Sequence, residues 1–192
     1  MVEDRDIGSA SGLSGPDRHA APPTSGEEQF ASVPPSGATK DVPTTAPIIE
    51  SESLTSRIGS STPPNVAAAL RLIEDGRQQM NQRRYDQALD RFERSVAIDP
   101  SNAYGYYFLA KLNYVMKKYD QAIAFAGRAT QLVARGDRIW LARTYGLEGA
   151  VYEEVGRYPD ARRAYQKAVD ADPNNLAARV GMARLSSGES SR

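Results

Sequence analysis

The spacing of apolar residues predicts a run of helices in the C-terminal part of the chain. Between residues 103 and 135, apolar and aromatic residues recur every three or four positions through Val115, and the same period resumes at Tyr119 after Lys117 and Lys118. This period places apolar side chains on one face of a helix. The break at the two lysines therefore predicts two helices joined as a hairpin, and no segment shows the strand alternation of period two.

Residues that start and stop helices extend this pattern to seven predicted helices. Asn65 is expected to cap the first helix and Asp137 the fifth, and Gly136 is expected to take the left-handed conformation after the fourth. Pro159 falls in the first turn of the sixth helix, where its missing N–H costs nothing. The predicted ranges are about 66–81, 85–98, 103–117, 119–135, 138–155, 158–172 and 176–185.

A four-residue signature recurs along the predicted helices. The residues Tyr-Asp-Gln-Ala at 85–88 recur at 119–122, and the related residues Tyr-Pro-Asp-Ala lie at 158–161, so the spacings are 34 and 39 residues. An internal repeat of this length predicts helical hairpins stacked one upon the next.

In these positions the chain resembles the tetratricopeptide repeat family, over about 120 of its 192 residues. The three copies span 69–102, 103–136 and 142–175, with these matching residues: Leu72, Gly76, Tyr85, Ala88, Phe92 and Pro100; Tyr106, Leu109, Ala110, Tyr119, Ala122 and Ala129; and Tyr145, Gly149, Tyr152, Tyr158, Ala161, Tyr165, Ala168 and Pro173. The resemblance implies an all-α solenoid of three hairpins, stacked with a right-handed twist and closed by a C-terminal capping helix.

Small residues recur where two helices of a hairpin are expected to cross most closely. A larger side chain at such a crossing forces the helices apart. The predicted structural small contacts are Gly76, Ala110 and Gly149 on the first helices and Ala88, Ala122 and Ala161 on the second helices.

The resemblance also implies a concave groove lined by the first helix of each hairpin. Its predicted partner-binding residues are Arg77, Tyr104, Tyr107, Lys111, Tyr114 and Arg143. For the tyrosines, packing against the next repeat remains an alternative to contact with a partner. Some relatives bind a peptide's terminal carboxylate with a clamp of polar residues. Here the clamp positions carry the apolar residues Ile73, Phe108 and Leu147, so we do not expect this chain to bind a terminal carboxylate in that way.

Residues 1–64 form the first predicted segment, a disordered tail or tether. They contain 9 Pro, 17 Ser or Thr, 6 Gly and 6 Ala, with Phe30 as the only Phe, Tyr or Trp. Such a composition buries too little apolar area to offset its ordering entropy. Its nine acidic and four basic side chains make it acidic and leave the remainder of this neutral chain basic. The tail is therefore also a possible occupant of the groove, and the apolar stretch at 46–50 a possible docking motif.

Residues 65–186 are the predicted repeat domain, and residues 187–192 a polar C-terminal tail. Five extra residues separate the second copy from the third, which predicts that helices four and five together are longer by more than a turn. Trp140 lies in this extension. It is interpreted either as an apolar cover over a protruding helix end or as a partner-contacting residue.

Catalytic and metal chemistry find little support in the sequence. There is no cysteine, and the single histidine, His19, lies in the predicted tail. Glu153 and Glu154 point about 100° apart on a helix, which is typical of a solvated face. We expect no cofactor and no metal site. Basic pairs such as Arg162-Arg163 form no continuous stripe with aromatic residues, so we expect no nucleic-acid binding.

The sequence therefore predicts a non-enzymatic scaffold that binds a protein or peptide partner in its groove. An alternative follows from the long tail and the few repeats, which resemble the periplasmic part of bacterial outer-membrane lipoproteins that activate peptidoglycan synthases. The lipid-bearing cysteine of that class is absent from the sequence, and no apolar run approaches the roughly 20 residues of a membrane span. The compartment stays open, with the periplasm favoured for a trimmed lipoprotein and the cytoplasm otherwise. The oligomeric state stays open too.

Overall fold

The computed structural model of the protein describes residues 52–189, which fall in one compact unit. Most of the predicted tail, including His19, Phe30 and the apolar stretch at 46–50, lies outside the described residues, as do residues 190–192. The prediction of disorder for residues 1–51 is therefore carried forward only as a prediction.

The described residues form seven α-helices and one 3₁₀ helix, with no strand among them. The all-α repeat solenoid predicted from the sequence is confirmed. The 3₁₀ helix is Leu54–Arg57, and the α-helices are α1 Pro64–Asn81, α2 Tyr85–Ile98, α3 Ala103–Val115, α4 Tyr119–Leu132, α5 Arg138–Glu154, α6 Tyr158–Ala171 and α7 Leu176–Glu189.

Helix ends depart from the prediction where backbone restrictions decide them. α1 begins at Pro64, behind Pro63 as N-cap, because the fixed φ of proline suits the first helical position; Asn65 lies inside the helix and does not cap it. α4 ends at Leu132, because Val133 turns to an extended conformation and buries its side chain. Gly136 was expected to be left-handed, but Gly156 is the only described glycine with a positive φ. α7 continues through residue 189, so the predicted polar tail begins within a helix.

All three hairpins turn through the same backbone motif. At the first turn the N–H of Arg83 donates to the carbonyl of Met80, and the N–H of Arg84 donates to that of Gln79. This pair of bonds is the Schellman motif, which requires a left-handed residue after the helix. The left-handed residues of the three turns are Arg83, Lys117 and Gly156, with φ values of 60°, 59° and 74°.

Helices of one hairpin pack against each other, and the odd-numbered helices also contact one another in sequence from α1 through α7. We call the surface formed by α1, α3 and α5 the odd-helix face. α7 packs on α6 and α5, at the end of the stack.

The crossings within hairpins are tight enough to restrict side-chain size. A Cβ atom at Gly76 would lie 2.4 Å from the ring of Phe92, and one at Gly149 would lie 2.6 Å from the ring of Tyr165. Of the other predicted small contacts, Ala88, Ala110, Ala122 and Ala161 are each 0% exposed. These six positions thus have room for the side chains that they carry and for little more.

The five extra residues before the third copy, 137–141, are the N-cap and the first turn of α5. α5 has 17 residues against 13 in α3, whereas α4 has 14, like α2 and α6. Trp140 on this extra turn is 1% exposed and belongs to the main core. This burial contradicts the interpretation of Trp140 as a partner-contacting residue. The other interpretation, an apolar cover, agrees with a buried side chain and stays a prediction.

The packed part of the chain begins before the predicted boundary at residue 65. Leu54 is 1% exposed and belongs to the same buried cluster as the first two hairpins. The 3₁₀ helix around it packs on α1. Residues 52–63 fall in the predicted tail because residues 1–64 as a whole are rich in Pro, Ser and Thr, but a buried leucine, a partly buried isoleucine and several polar contacts hold this stretch against the helices.

Candidate functional site

The six residues predicted to bind a partner all lie on helices of the odd-helix face. Arg77 comes from α1, Arg143 from α5 and the remaining four from α3. Tyr107 is 6% exposed and so largely withdrawn from solvent. The others are half-buried, and their role as partner contacts remains a prediction.

Aromatic rings from α3 and α5 form a cluster beneath this face. The Trp140 ring lies 4.7 Å from that of Tyr104, 5.2 Å from that of Tyr107 and 6.0 Å from that of Phe108, each time at a steep angle. Edge-to-face pairs at these distances are favourable beyond the area that they bury. Packing, the alternative left open for the tyrosines, therefore describes Tyr107, whereas Tyr104 keeps part of its surface accessible.

Three cationic side chains lie over these rings. The guanidinium carbon of Arg77 is 5.4 Å from the centre of the Phe108 ring, and the ammonium of Lys111 is 5.9 Å from it. The guanidinium carbon of Arg143 is 4.8 Å from the centre of the Trp140 ring. Cations over ring faces are attracted by the ring quadrupole. The odd-helix face is thus an aromatic floor bordered by positive charge.

Residues 52–58, hereafter the 52–58 segment, lie against this same face. The N–H of Leu54 donates to Glu74 Oε2 on α1 at 3.1 Å, and Arg77 Nη1 donates to the carbonyl of Glu52 at 3.0 Å. Arg57 Nη1 donates to the hydroxyl of Tyr104 at 2.7 Å. The segment therefore contacts both of the first two hairpins through residues of the predicted groove.

Asp137 joins the segment to the third hairpin. Its Oδ2 accepts from Arg57 Nη1 at 2.9 Å and from the Tyr104 hydroxyl at 3.0 Å, while its Oδ1 accepts from the N–H of Trp140 at 3.4 Å as the cap of α5. Burial, and then the charge of Asp137, raise the pKa of Tyr104 to about 12. The tyrosine therefore stays protonated and keeps donating to the carboxylate.

The far end of the face is covered in another way. Arg184 on α7 donates from Nε and Nη2 to the two carboxylate oxygens of Glu153 at 2.5 and 2.6 Å, and the Tyr165 hydroxyl donates to Glu153 at 2.8 Å. Burial alone would raise the pKa of Glu153, but the hydrogen bonds from Arg184 and Tyr165 lower it. Glu153, expected on a solvated face, is thus held in a network. Its neighbour Glu154 is exposed and accepts from the hydroxyls of Tyr114 and Tyr119 at 3.4 Å.

Two buried donors next to the aromatic cluster have no hydrogen-bond acceptor in the described part of the chain. They are the indole Nε1 of Trp140 and Nη1 of Arg143. Both come from the first two turns of α5, and an unsatisfied buried donor is costly. Because both atoms are enclosed, it is the accessible parts of the nearby cations that make acceptor groups the natural chemistry of a ligand on this side.

Within residues 52–189 no group of three or more His, Cys, Asp or Glu side chains is placed to hold a metal ion. None of the helices in this range has the length and apolar character needed to cross a bilayer.

Sequence reasoning missed Leu54, Arg57 and Asp137 as parts of the site. Asp137 was recognised only as a helix cap. Leu54 and Arg57 sit in a Ser-rich stretch without periodicity, and the one local signal was Ser53, whose side chain accepts from the N–H of Thr55 and caps the 3₁₀ helix.

Comparison with known proteins bears on this arrangement of helices. A sequence profile described as "Tetratricopeptide repeat" matches residues 101–174, from the end of the first hairpin through the third. Over these residues the chain matches the tetratricopeptide repeat family. Members of this family generally act as non-catalytic protein-binding scaffolds.

Curated tetratricopeptide repeat proteins match the chain at modest identity. It is 27% identical over 131 residues to the small glutamine-rich tetratricopeptide repeat-containing protein 2 of Mycosarcoma maydis, covering 66% of this chain and 36% of that protein. It is 28% identical over 112 residues to the Hsp70-Hsp90 organising protein of Plasmodium falciparum, covering 57% of this chain and 20% of that protein. The chain thus spans about a third or less of the length of these relatives.

Solved tetratricopeptide repeat domains share the fold. One is described as the first TPR of Spaghetti (RPAP3) bound to HSP90 peptide SRMEEVD, with a TM-score of 0.58, 24% identity, and coverage of 64% of this chain and 94% of that one. The crystal structure of MamA gives a TM-score of 0.56 at 24% identity, with coverage of 64% and 68%. At these identities the likeness concerns the fold.

Proposed function

We propose that this tetratricopeptide repeat domain is a non-enzymatic scaffold that binds an extended segment of a partner protein on its odd-helix face. The observation that carries the proposal is the 52–58 segment itself. It lies on this face with one buried leucine, while side chains of Glu74 and Arg77 bind its main chain. A surface that holds one short segment by a side-chain anchor and main-chain bonds suits another segment of that kind.

The charge of the face favours acidic partners. Lys111 on α3 and Arg143 on α5 lie over aromatic rings of the face and are each only half-buried. A partner carboxylate or carbonyl can accept there, and the rings offer contact area at little entropic cost. We therefore expect a segment with apolar and acidic side chains.

Related domains that bind peptides support a short segment as the ligand of this chain. This chain differs from some of them in the residues that would hold the end of the peptide. The RPAP3 domains are described as bound to the HSP90 peptide SRMEEVD and the HSP70 peptide SGPTIEEVD, both of which contain acidic residues. Ile73 and Phe108, in positions where some relatives hold a terminal carboxylate, are 0% exposed and apolar here. We therefore expect recognition of internal acidic side chains over that of a chain terminus.

The periplasmic alternative gains no support. None of the relatives named above is described as a lipoprotein or as an activator of peptidoglycan synthases, and we do not propose that role.

Selection from a displayed library of random peptides tests the proposal, with the full chain as bait. The peptides recovered are then titrated against the double variant Lys111→Glu/Arg143→Glu. The matched control is Lys118→Glu/Arg179→Glu, which makes the same change of charge at exposed residues away from the aromatic cluster. We expect acidic peptides that bind the wild type and the control equally and the first variant at least about tenfold more weakly.

Two results would contradict the proposal. Equal affinity for both double variants, with unchanged circular dichroism, would move binding to another surface. A selection that enriches no sequence would show that the domain does not recognise short segments.

A further inference from the structure

The 52–58 segment differs from the rest of the packed chain in how it is held. Leu54 is its only buried residue, Ile58 is partly buried against the same core, and Thr55, Ser56 and Arg57 are exposed. The 3₁₀ helix packs on one helix, α1, whereas every α-helix packs on at least two other helices. A buried leucine and a partly buried isoleucine among polar neighbours are how a short linear ligand is held, and they are a sparse way to build a core.

The contacts of the segment run to residues far along the chain. Arg57 reaches Tyr104 and Asp137, which are 47 and 80 positions away. Its guanidinium also lies over the Tyr104 ring at 5.1 Å. The odd-helix face thus presents two specific features at this end: a buried site that accepts a leucine side chain, and an acceptor pair that receives a guanidinium.

The connection to α1 allows the segment to leave and return. Between the 3₁₀ helix and α1 lie residues 58–63, most of them exposed, and Gly59 has open space around it. A tether this short keeps the segment at a millimolar effective concentration near its site. The segment therefore competes with any molecule that needs the same site.

We propose that the 52–58 segment is an intramolecular ligand that occupies the binding face until a partner segment displaces it. The displacing segment carries the same two features, an apolar side chain the size of leucine and an arginine three residues later, beside the acidic side chains expected opposite Lys111 and Arg143. This inference rests on the proposed function and names the partner chemistry of the same face.

A labelled peptide of residues 50–60, ESESLTSRIGS, tests the proposal in trans by fluorescence anisotropy. It is titrated into the full chain, the full-chain variant Leu54→Asp and the control Ser60→Asp, which adds the same charge at an exposed turn of the tether. Leu54→Asp empties the leucine site, so we expect it to bind the peptide at least about tenfold more tightly than the wild type and the control do. A peptide with the Leu54→Asp change should not bind, and one with Arg57→Ala should bind more weakly.

Equal affinity for all three chains, or no binding to a Leu54→Asp chain that keeps its helical circular dichroism, would overturn the proposal. Hydrogen exchange of the wild type gives a second measurement that needs no variant to fold. The amides of Leu54, Ser56 and Ile58 all donate hydrogen bonds. We expect them to exchange at least about 100-fold faster than those in the middle of α3, because the segment opens without unfolding of the helices. Exchange only through global unfolding would show that the segment is a permanent part of the core.

The two hypotheses fail separately. If the library yields no binder to the wild type or to Leu54→Asp while the peptide of residues 50–60 binds the variant, the segment is a self-ligand of a face with no partner. If library peptides bind but the peptide of residues 50–60 does not, the binding face stands and the intramolecular ligand falls.

Discussion

Alanine at Gly149 and alanine at Gly127 should change stability in opposite directions, although both positions are inside helices. A Cβ atom at Gly149 would lie 2.6, 2.7 and 3.0 Å from three atoms of the Tyr165 ring, whereas nothing lies within 4 Å of one at Gly127. The ring cannot move aside easily. Its other edge lies 2.4 Å from where a Cβ of Gly181 would be, and its hydroxyl is bonded to Glu153.

The two substitutions share the gain in helix propensity and differ in the cost of overpacking. Replacing glycine by alanine in a helix stabilises it by about 1 kcal/mol, mainly because alanine loses less backbone entropy. Overpacking a rigid site costs about 1–3 kcal/mol. Gly127→Ala should therefore raise the free energy of unfolding by up to about 1 kcal/mol. The free energy of unfolding of Gly149→Ala should be lower than that of Gly127→Ala by the overpacking cost of about 1–3 kcal/mol.

Thermal unfolding followed by circular dichroism measures this difference. For a domain of this size 1 kcal/mol corresponds to about 3–5 °C in Tm. We expect a higher Tm for Gly127→Ala than for the wild type and a Tm for Gly149→Ala at least about 3 °C below that of Gly127→Ala. If the two variants melt within about 1 °C of each other, the close contact between α5 and Tyr165 does not limit side-chain size and the packing argument is refuted.

Three further predictions follow from the face and its segment. Deleting residues 1–58 should lower Tm by several degrees because it removes a buried leucine, whereas deleting residues 1–51 should not; equal melts would show that the segment adds nothing to stability. Tyr107→Ala should cost about 3–5 kcal/mol in urea unfolding, as large-to-small changes in cores do, while Tyr114→Phe should stay close to wild type, and similar losses would contradict the difference in burial. The folded-state pKa of Tyr104 is raised to about 12, so the contribution of the neutral hydroxyl to stability is complete below the unfolded-state pKa of about 10 and is lost as the pH rises toward 12. Tyr104→Phe should therefore make the free energy of unfolding decline less steeply between these pH values, and an unchanged slope would contradict this.

The helices could be predicted from the sequence because they depend on local spacing. The period of three and four residues, together with stops such as Pro100 and Pro173, places all seven helices within a few residues of their observed bounds. The errors lie where a backbone restriction competes with a capping side chain, as at Pro63 and Asn65. Another lies where a long-range contact decides the end, as at Val133, which leaves the helix and is buried.

The arrangement of the odd-helix face could be predicted only in part. Repeat phase placed Tyr104, Lys111 and Arg143 on α3 and α5, where the structure also has them, and their role as partner contacts stays a prediction. Whether a face is accessible to a partner depends on which other segments pack against it. The spacing of apolar residues along the chain predicts neither the packing of Trp140 nor that of Leu54 against this face. Both are contacts between distant parts of the chain, and the composition around Leu54 is that of a solvated linker.

The three hairpin turns have a consequence for how such repeats diverge. Arg83, Lys117 and Gly156 share one left-handed conformation, although the first two carry a Cβ atom and the third does not. A side chain in that conformation costs about 1–2 kcal/mol, and the extra freedom that glycine loses on folding costs about 0.5–1 kcal/mol, so the second penalty offsets about half of the first. Selection on stability therefore distinguishes only weakly between glycine and a long basic residue at this position. When a gene segment that encodes such a hairpin is duplicated, the copy can keep the fold although the turn loses its glycine. The backbone conformation of the turn is thus retained more strictly than its residue type.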